Sequence, residues 1–234
     1  MRFQASTLLI CCMMSACSYL PAPDALPTGT TLIEDRNSII LSTVRSATST
    51  TGFLFYPGAL VDPHAYVGLM QQLSSIASGY RVFIAKVPAN LAVLQPGAAE
   101  SIIQNHPEIK NWVIGGHSLG GTMACSWVSR RPESVRGLML LASYPAKSDD
   151  LSAWRGSVLT IYGTNDGVLN KDNLASAYIR LPKKLVVSQI SGGNHAYFGN
   201  YGEQKGDGQA TISRATQQYQ TTQQFASFMR SLGL

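Results

Sequence analysis

An α/β fold, built on a mainly parallel sheet with helices on both faces, is what this sequence predicts. Two observations predict it. Short apolar runs rich in β-branched and aromatic residues alternate with longer segments of helical period, as expected when crossover helices bury a sheet on both sides. Between one such run and one such segment stands Val113-Ile114-Gly115-Gly116-His117-Ser118-Leu119-Gly120-Gly121, a serine flanked by glycines on a strand-to-helix turn.

The elements follow in order. Residues 39–44 form a candidate early strand, and Gly52-Phe53-Leu54-Phe55-Tyr56 a stronger one, stopped by Pro57-Gly58. A helix is expected over 63–77, with Leu69, Leu73 and Ile76 on one side, then a strand over 80–87 and a helix over 97–105. Trp112-Val113-Ile114 is the strand before Ser118, and Leu119, Met123, Ala124, Trp127 and Val128 recur at helical spacing after it. Residues 137–142 and 157–162 are buried strands, 171–178 a helix, 184–190 a last strand, and 209–232 a closing helix. The stretch 143–156 is too short to hold a lid domain. There is no internal repeat and no second domain.

Composition bounds the class. At 234 residues, 45% hydrophobic and 13% charged, the chain can bury one good core. Its net charge is +5, but Lys and Arg are scattered and not interleaved with aromatics, so a nucleic-acid partner has no support.

The N-terminus reads as a targeting segment. Arg2 gives a minimal basic region, and the apolar stretch 8–16 is too short to span a bilayer. Met14-Ser15-Ala16-Cys17 resembles the lipobox of bacterial lipoprotein signals, although methionine replaces the usual leucine at its first position. On this reading residues 1–16 are a signal peptide, Cys17 is lipidated, and 17–38, with Pro21, Pro23 and Pro27, tether a domain spanning 39–234. An ordinary signal peptide cut nearby is the alternative. The lipobox reading implies an exported, membrane-anchored lipoprotein of a bacterial cell envelope. Cys11 and Cys12 would be removed, leaving Cys125 without a disulfide partner in the mature chain.

An elbow serine needs a base and a group to orient that base. Asp166 follows the strand at 157–162, and His195 follows the strand at 184–190 behind a glycine-rich approach. Loops at the C-terminal ends of parallel strands share one edge of the sheet, so Ser118, Asp166 and His195 are expected to converge. Asp149 or Asp150 could replace Asp166 as the orienting acid. Of the other histidines, His64 and His106 have no assigned role, while His117 is structural or lines the pocket. No histidine pair has metal-ligand spacing, Asp207 between glycines makes no metal site, and no cofactor is expected. The backbone N–H groups of Leu119 and Ala59 are the candidate oxyanion donors, with Gly58 allowing close approach or merely turning the chain. Tyr56, Gly58, His117, Tyr197 and Phe198 are candidate pocket residues.

These motifs resemble those of α/β-hydrolases, more narrowly the bacterial group often called the α/β-hydrolase fold-5 family. The likeness rests on Phe55-Tyr56-Pro57-Gly58-Ala59 with Val61-Asp62-Pro63, on residues 115–121, on Tyr162-Gly163-Thr164-Asn165-Asp166-Gly167, and on 192–208. It implies the α/β-hydrolase fold, with about eight strands, and a triad of Ser118, Asp166 and His195. The activity then expected is hydrolysis of a small-molecule carboxylic ester or similar acyl bond through an acyl-enzyme. Acyl transfer on the same triad, or a non-catalytic binding lipoprotein, are the alternatives.

Overall fold

The computed structural model describes residues 19–22, 30–76 and 79–234. The signal peptide and Cys17 lie outside the described residues. Eight strands form one sheet: β1 (Thr30–Glu34), β2 (Ser38–Thr43), β3 (Thr51–Tyr56), β4 (Arg81–Ala85), β5 (Asn111–His117), β6 (Gly137–Leu141), β7 (Ser157–Gly163) and β8 (Leu185–Ile190). Their order across the sheet is β1-β2-β4-β3-β5-β6-β7-β8. The pairs β1–β2 and β2–β4 are antiparallel, and every later pair is parallel. The α-helices among the described residues are α1 (Val67–Ile76), α2 (Ala98–Asn105), α3 (Leu119–Arg130), α4 (Lys171–Ala177) and α5 (Arg214–Ser231).

Strand alternation decides what each face buries. From β3, Phe53 and Phe55 enter the core shared with Leu69 and Leu73 of α1 and Phe225 of α5. Leu54 and Tyr56 enter the opposite core, against Ala98 and Ile102 of α2 and Val128 of α3. Phe53 and Phe225 stack with ring centroids 4.7 Å apart. Both rings are fully buried, which at about 1.5–3 kcal/mol per large apolar side chain is how α5 closes that face.

Local chemistry sets the helix boundaries. The closing helix begins at Arg214 rather than near 209, because the Ser213 hydroxyl caps it by accepting the Thr216 N–H at 3.1 Å. Thr211 is already committed, its N–H donating to the Gly192 carbonyl at 2.8 Å. The helix expected over 63–77 is a 3₁₀ turn at Pro63–Tyr66 followed by α1. The turn starts at Asp62, whose carboxylate accepts the His64 N–H at 2.9 Å. Residues 142–156 join β6 to β7 without helix or strand, so this connection holds no inserted lid domain.

Two differences from the expected boundaries concern the segment before residue 39. Thr30–Glu34, assigned above to the tether, is an edge strand paired with β2 from Thr30↔Thr43 to Glu34↔Ile39. Its Thr-Thr-Leu-Ile-Glu sequence is half polar because only one side packs, and Ile33 stays exposed. Tyr19 to Ala22 also lie on the domain. Tyr19 donates its N–H to the Leu60 carbonyl at 2.8 Å and accepts the Asp62 N–H at 3.0 Å, while Ala22 donates to the Asn200 carbonyl at 2.8 Å. Among the described residues no helix is long and apolar enough to cross a membrane.

Candidate active site

Ser118 sits between β5 and α3 with φ 52° and ψ −125°, a conformation that costs a non-glycine residue of order 1–3 kcal/mol. Its surroundings hold it there. Its N–H donates to the Leu141 carbonyl at 2.9 Å, and its own carbonyl accepts the Ser143 hydroxyl at 2.6 Å and the Gly121 N–H at 3.0 Å. The turn closes only because side chains are missing. A Cβ on Gly116 would overlap Gly120, and one on Gly120 would overlap the carbonyl oxygens of Tyr56 and Pro57. Ser118 and Leu119 are partly exposed while their neighbours on both sides are buried. The N-terminus of α3 lies directly after the serine, so its free N–H groups favour negative charge there.

Asp166 and His195 meet as the sequence predicts. Asp166 Oδ2 is 2.8 Å from His195 Nδ1, with both side chains almost fully buried. The other carboxylate oxygen accepts the N–H groups of Val168 at 2.9 Å and Leu169 at 2.7 Å. Nε2 of His195 has no hydrogen-bond partner among the described residues. Asp149 does not compete, since it is buried elsewhere and accepts the Ser126 hydroxyl. Asp150 caps Ser152 through its N–H at 2.8 Å.

The structure adds a residue to the site that the sequence pattern does not single out. Asp207 accepts the N–H of His195 at 3.1 Å and of Ala196 at 2.8 Å, and on the other side that of Gly167 at 3.2 Å. Its carboxylate therefore clamps the histidine loop to the loop carrying Asp166. The clamp is tight, because a Cβ on Gly208 would overlap the Asn165 carbonyl. Gln217 of α5 adds a second hold, accepting the Asn194 N–H at 3.0 Å and donating to the Asn194 carbonyl at 2.8 Å. An acid between glycines, 12 residues after the histidine, gives only a weak sign of this in the sequence.

The loop after β3 accounts for its donors one by one. The Gly58 N–H goes to the Tyr66 hydroxyl at 3.0 Å, the Leu60 N–H to the Asn90 carbonyl at 2.8 Å, and the Val61 N–H to the Gly58 carbonyl at 3.2 Å. Ala59, partly exposed, is the member of this loop whose N–H has no hydrogen-bond partner among the described residues. Gly58 also has a packing reason. Its α-carbon faces His117 Nδ1 and the Tyr66 hydroxyl, where a Cβ would approach to 2.9 and 3.0 Å. The Tyr66 hydroxyl, 2.8 Å from His117 Nδ1, thus ties the Gly58 loop to the elbow.

Not every candidate pocket residue lines a pocket. Tyr56 is fully buried on the α2 side, where its hydroxyl accepts the Ala99 N–H at 2.8 Å and caps a helix that lacks its own side-chain cap. Phe198 is fully buried in the core, its ring 5.6 Å from that of His117. Tyr197 is half-buried beneath the Arg214 guanidinium, 5.0 Å from its ring centroid, and borders a cavity of about 480 Å³ shared with Gln204 and Asp207. His117 is buried, its ring centroid 4.4 Å from that of His195. Burial first, and His195 beside it, hold its pKa well below the ordinary histidine value, so it is neutral. Cys125 is buried in α3, and burial pushes its thiol pKa up, which makes it a packing residue and not a second nucleophile. His64 pairs with Asp62 and Glu34, and His106 stacks on Phe83, both outside the site. No group of three metal-ligating side chains occurs among the described residues. A larger cavity, about 760 Å³, lies at the opposite edge of the sheet beside Val135, Trp154 and Lys184, away from Ser118 and His195.

Comparison with known proteins agrees with this arrangement. The model of the alpha/beta hydrolase family matches residues 52–219. Similar solved structures include a predicted CIB-like hydrolase of Thermoplasma acidophilum, 16% identical, covering 87% of this chain and 100% of its own, with a TM-score of 0.62. Est1E of Butyrivibrio proteoclasticus is 10% identical and covers 88% and 99% of the two chains at a TM-score of 0.62. Mouse alpha/beta hydrolase domain-containing protein 10 is 12% identical and covers 87% and 99% at 0.60. At these identities the structures speak for the fold alone. No curated protein has a significantly similar sequence. With a family match across most of its length and the elbow, acid and histidine at one sheet edge, the chain belongs to the alpha/beta hydrolase family.

Proposed function

We propose that this protein is a serine hydrolase that cleaves a carboxylic ester or similar acyl bond of a small molecule. One observation carries the reading: an elbow serine shares a sheet edge with a buried Asp166–His195 pair whose Nε2 is unpartnered. Ser118 Oγ attacks the carbonyl carbon as His195 Nε2 takes its proton. Asp166 holds Nδ1–H and stabilises the imidazolium that forms. The Ala59 and Leu119 N–H groups receive the oxyanion, aided by the N-terminus of α3. His195 then returns the proton to the departing alcohol oxygen. Water, activated by the same histidine, releases the acid from Ser118.

Family membership supports a hydrolase, and the geometry supports acyl chemistry in particular. A fluorophosphonate should label the wild-type protein on Ser118. Ser118→Ala should abolish labelling and lower kcat on any good ester by about 10⁶-fold, the scale on which nucleophile loss acts elsewhere. A labelled or active Ser118→Ala variant would remove the mechanism, and wild-type protein that neither labels nor turns over esters would make it a binding protein. The lipobox supports a further part of the reading: a signal peptide removed before Cys17, a lipid on that cysteine, and residence on a membrane of a bacterial envelope. Mass spectrometry of the mature N-terminus tests it, and Cys17→Ser should release the protein from membranes or block its processing.

A further inference from the structure

We infer that the protein works with its active-site edge held against the bilayer, on esters of amphiphiles residing in that membrane. The inference rests on the proposed lipidation of Cys17 and on the hydrolase reading. A long tether would leave the domain free to face any way. The structure shortens that tether to almost nothing, because Tyr19 is already bound to the domain. Its N–H donates to the Leu60 carbonyl, its carbonyl accepts the Asp62 N–H, and it forms a bridge with Val61. Its ring packs on Tyr201, with centroids 5.4 Å apart, and Tyr201 in turn lies against Tyr66. Three residues further on, Ala22 binds Asn200 in the loop beyond His195.

One residue, Ser18, stands between Cys17 and Tyr19, so their α-carbons are at most about 7 Å apart however the chain runs. The attachment point on the domain is the carbonyl of Leu60, next to Ala59, the candidate oxyanion donor. A lipid at Cys17 therefore brings the headgroup layer to the edge that carries Ser118, and keeps the opposite edge of the sheet away from it.

The surface beside that attachment agrees. Leu20, next to the docked Tyr19, is 67% exposed. The Leu60 N–H donates to the Asn90 carbonyl, and the short turn that follows presents Val93 and Leu94, 45% and 58% exposed. These apolar side chains stand on segments bonded directly to the Leu60 loop, where so short a leash would press them into the interface. With no lid domain inserted between β6 and β7, an ester whose carbonyl lies at headgroup level reaches Ser118 without leaving the bilayer. The chemical class assigned is thus an amphiphile carrying an acyl ester, with its apolar part in the membrane.

The experiment uses the full-length protein taken from its membrane, checked for lipid on Cys17 by mass spectrometry, and reconstituted into phosphatidylcholine–phosphatidylglycerol vesicles containing doxyl-labelled lipid. Leu94→Cys and Val44→Cys variants each carry one environment-sensitive fluorophore, Val44 being exposed at the far edge, beyond the end of β2. Doxyl lipid should quench the label at 94 several-fold more than the label at 44. Equal quenching, or stronger quenching at 44, overturns the orientation. The double variant Val93→Ser, Leu94→Ser should lose at least about fivefold in turnover of a vesicle-borne long-chain ester and keep its turnover of a water-soluble acetate ester. An unchanged rate on the vesicle-borne ester, or equal loss on both, overturns the substrate assignment. Absence of lipid from Cys17 would remove the anchor and this inference together, while fluorophosphonate labelling of Ser118 would report on the hydrolase reading separately.

Discussion

The elbow and the loop beyond β8 hold their key side chains by opposite means. At the elbow, Ser118 is fixed by what is absent: Gly116 and Gly120 let strand, turn and helix pass so closely that one added carbon at either would overlap backbone. The glycines are local, each within two residues of the serine, although the backbone they admit includes Tyr56 and Pro57 of a distant strand end. Beyond β8, His195 is fixed by what is present. Asp166 lies 29 residues away along the chain, Asp207 12 residues away, and Gln217 of α5 binds the adjoining Asn194 from 23 residues away. A close-packed turn can break only by gaining atoms. A polar clamp breaks by losing them, because each lost acceptor leaves buried N–H groups unpaired.

The largest effect expected on the clamp side is chemical. Asp166→Asn replaces the acceptor for His195 Nδ1–H with a group of nearly the same shape. The fold should survive, while kcat falls by about 10⁴-fold because the wrong tautomer is favoured. Steady-state kinetics beside thermal unfolding separate the two effects. Near-normal turnover in Asp166→Asn, combined with heavy loss in Asp149→Asn, would move the acid to the residue that the structure pairs with Ser126.

On the elbow side the corresponding change adds a methyl group. Gly120→Ala drives a Cβ into the carbonyl oxygens of Tyr56 and Pro57, which are backbone and cannot swing aside. A destabilisation of about 3 kcal/mol is expected, the upper end for overpacking. It should be accompanied by weaker fluorophosphonate labelling, because the turn that presents Ser118 must open. Urea unfolding measures the first and gel fluorescence the second. A cost below about 1 kcal/mol, well under that overpacking range, would mean that the elbow tolerates added atoms, and the contrast would fail.

The same contrast explains what could be read from the sequence. The elbow was legible because its glycines, its serine and the switch from strand to helix are contiguous. Asp166 and His195 were legible because each ends a strand, and parallel strands bring their C-terminal ends together. Asp207 was not, since an acid accepting backbone N–H groups from two distant loops leaves no periodic trace. Tyr56 reads as a pocket residue from its place beside Pro57-Gly58, although it shares its side of β3 with Leu54 and therefore faces α2. Strand parity alone could have shown that. Strand β1 escaped because five half-polar residues on an edge resemble a linker, and the docking of Tyr19 depends on Leu60 and Asp62, which no local pattern connects to it.

Asp207→Ala tests the clamp with a smaller expected effect. The N–H groups of His195, Ala196 and Gly167 would lose their acceptor. The donors of His195 and Ala196 are buried and cost about 1–3 kcal/mol each when unpaired, less whatever water recovers, while exposed Gly167 turns to water, so a net loss of about 2 kcal/mol is expected. At temperatures where the variant is fully folded, kcat should still fall by about 10²-fold, the scale set by small misplacements of a reacting group. Asp207→Asn keeps one acceptor oxygen and should recover part of both losses. If Asp207→Ala lowered stability and left kcat untouched, Asp207 would hold the fold and not the histidine.

The smallest effect sits where the two regions touch, at His117. Its ring lies between the Tyr66 hydroxyl, bonded to Nδ1 at 2.8 Å, and the ring of His195, 4.4 Å away, with Phe198 closing the side. Burial keeps it neutral in the folded protein, with a pKa well below its ordinary value. In the unfolded chain it titrates near 6.5. Below that pH the unfolded state binds a proton that the native state refuses, so stability is present above about 6.5 and declines as pH falls through it. Between pH about 7.5 and about 5.5 this one group should remove up to about 1.4 kcal/mol. His117→Gln keeps a polar partner for Tyr66 and has nothing to titrate, so its urea-unfolding free energy should fall less over the same interval, by that amount. Parallel pH profiles for wild type and His117→Gln would show that His117 takes its proton inside the folded protein. The elbow and the histidine loop would then meet across a charge, and the packing of His117 against His195 would have to open to water in weak acid.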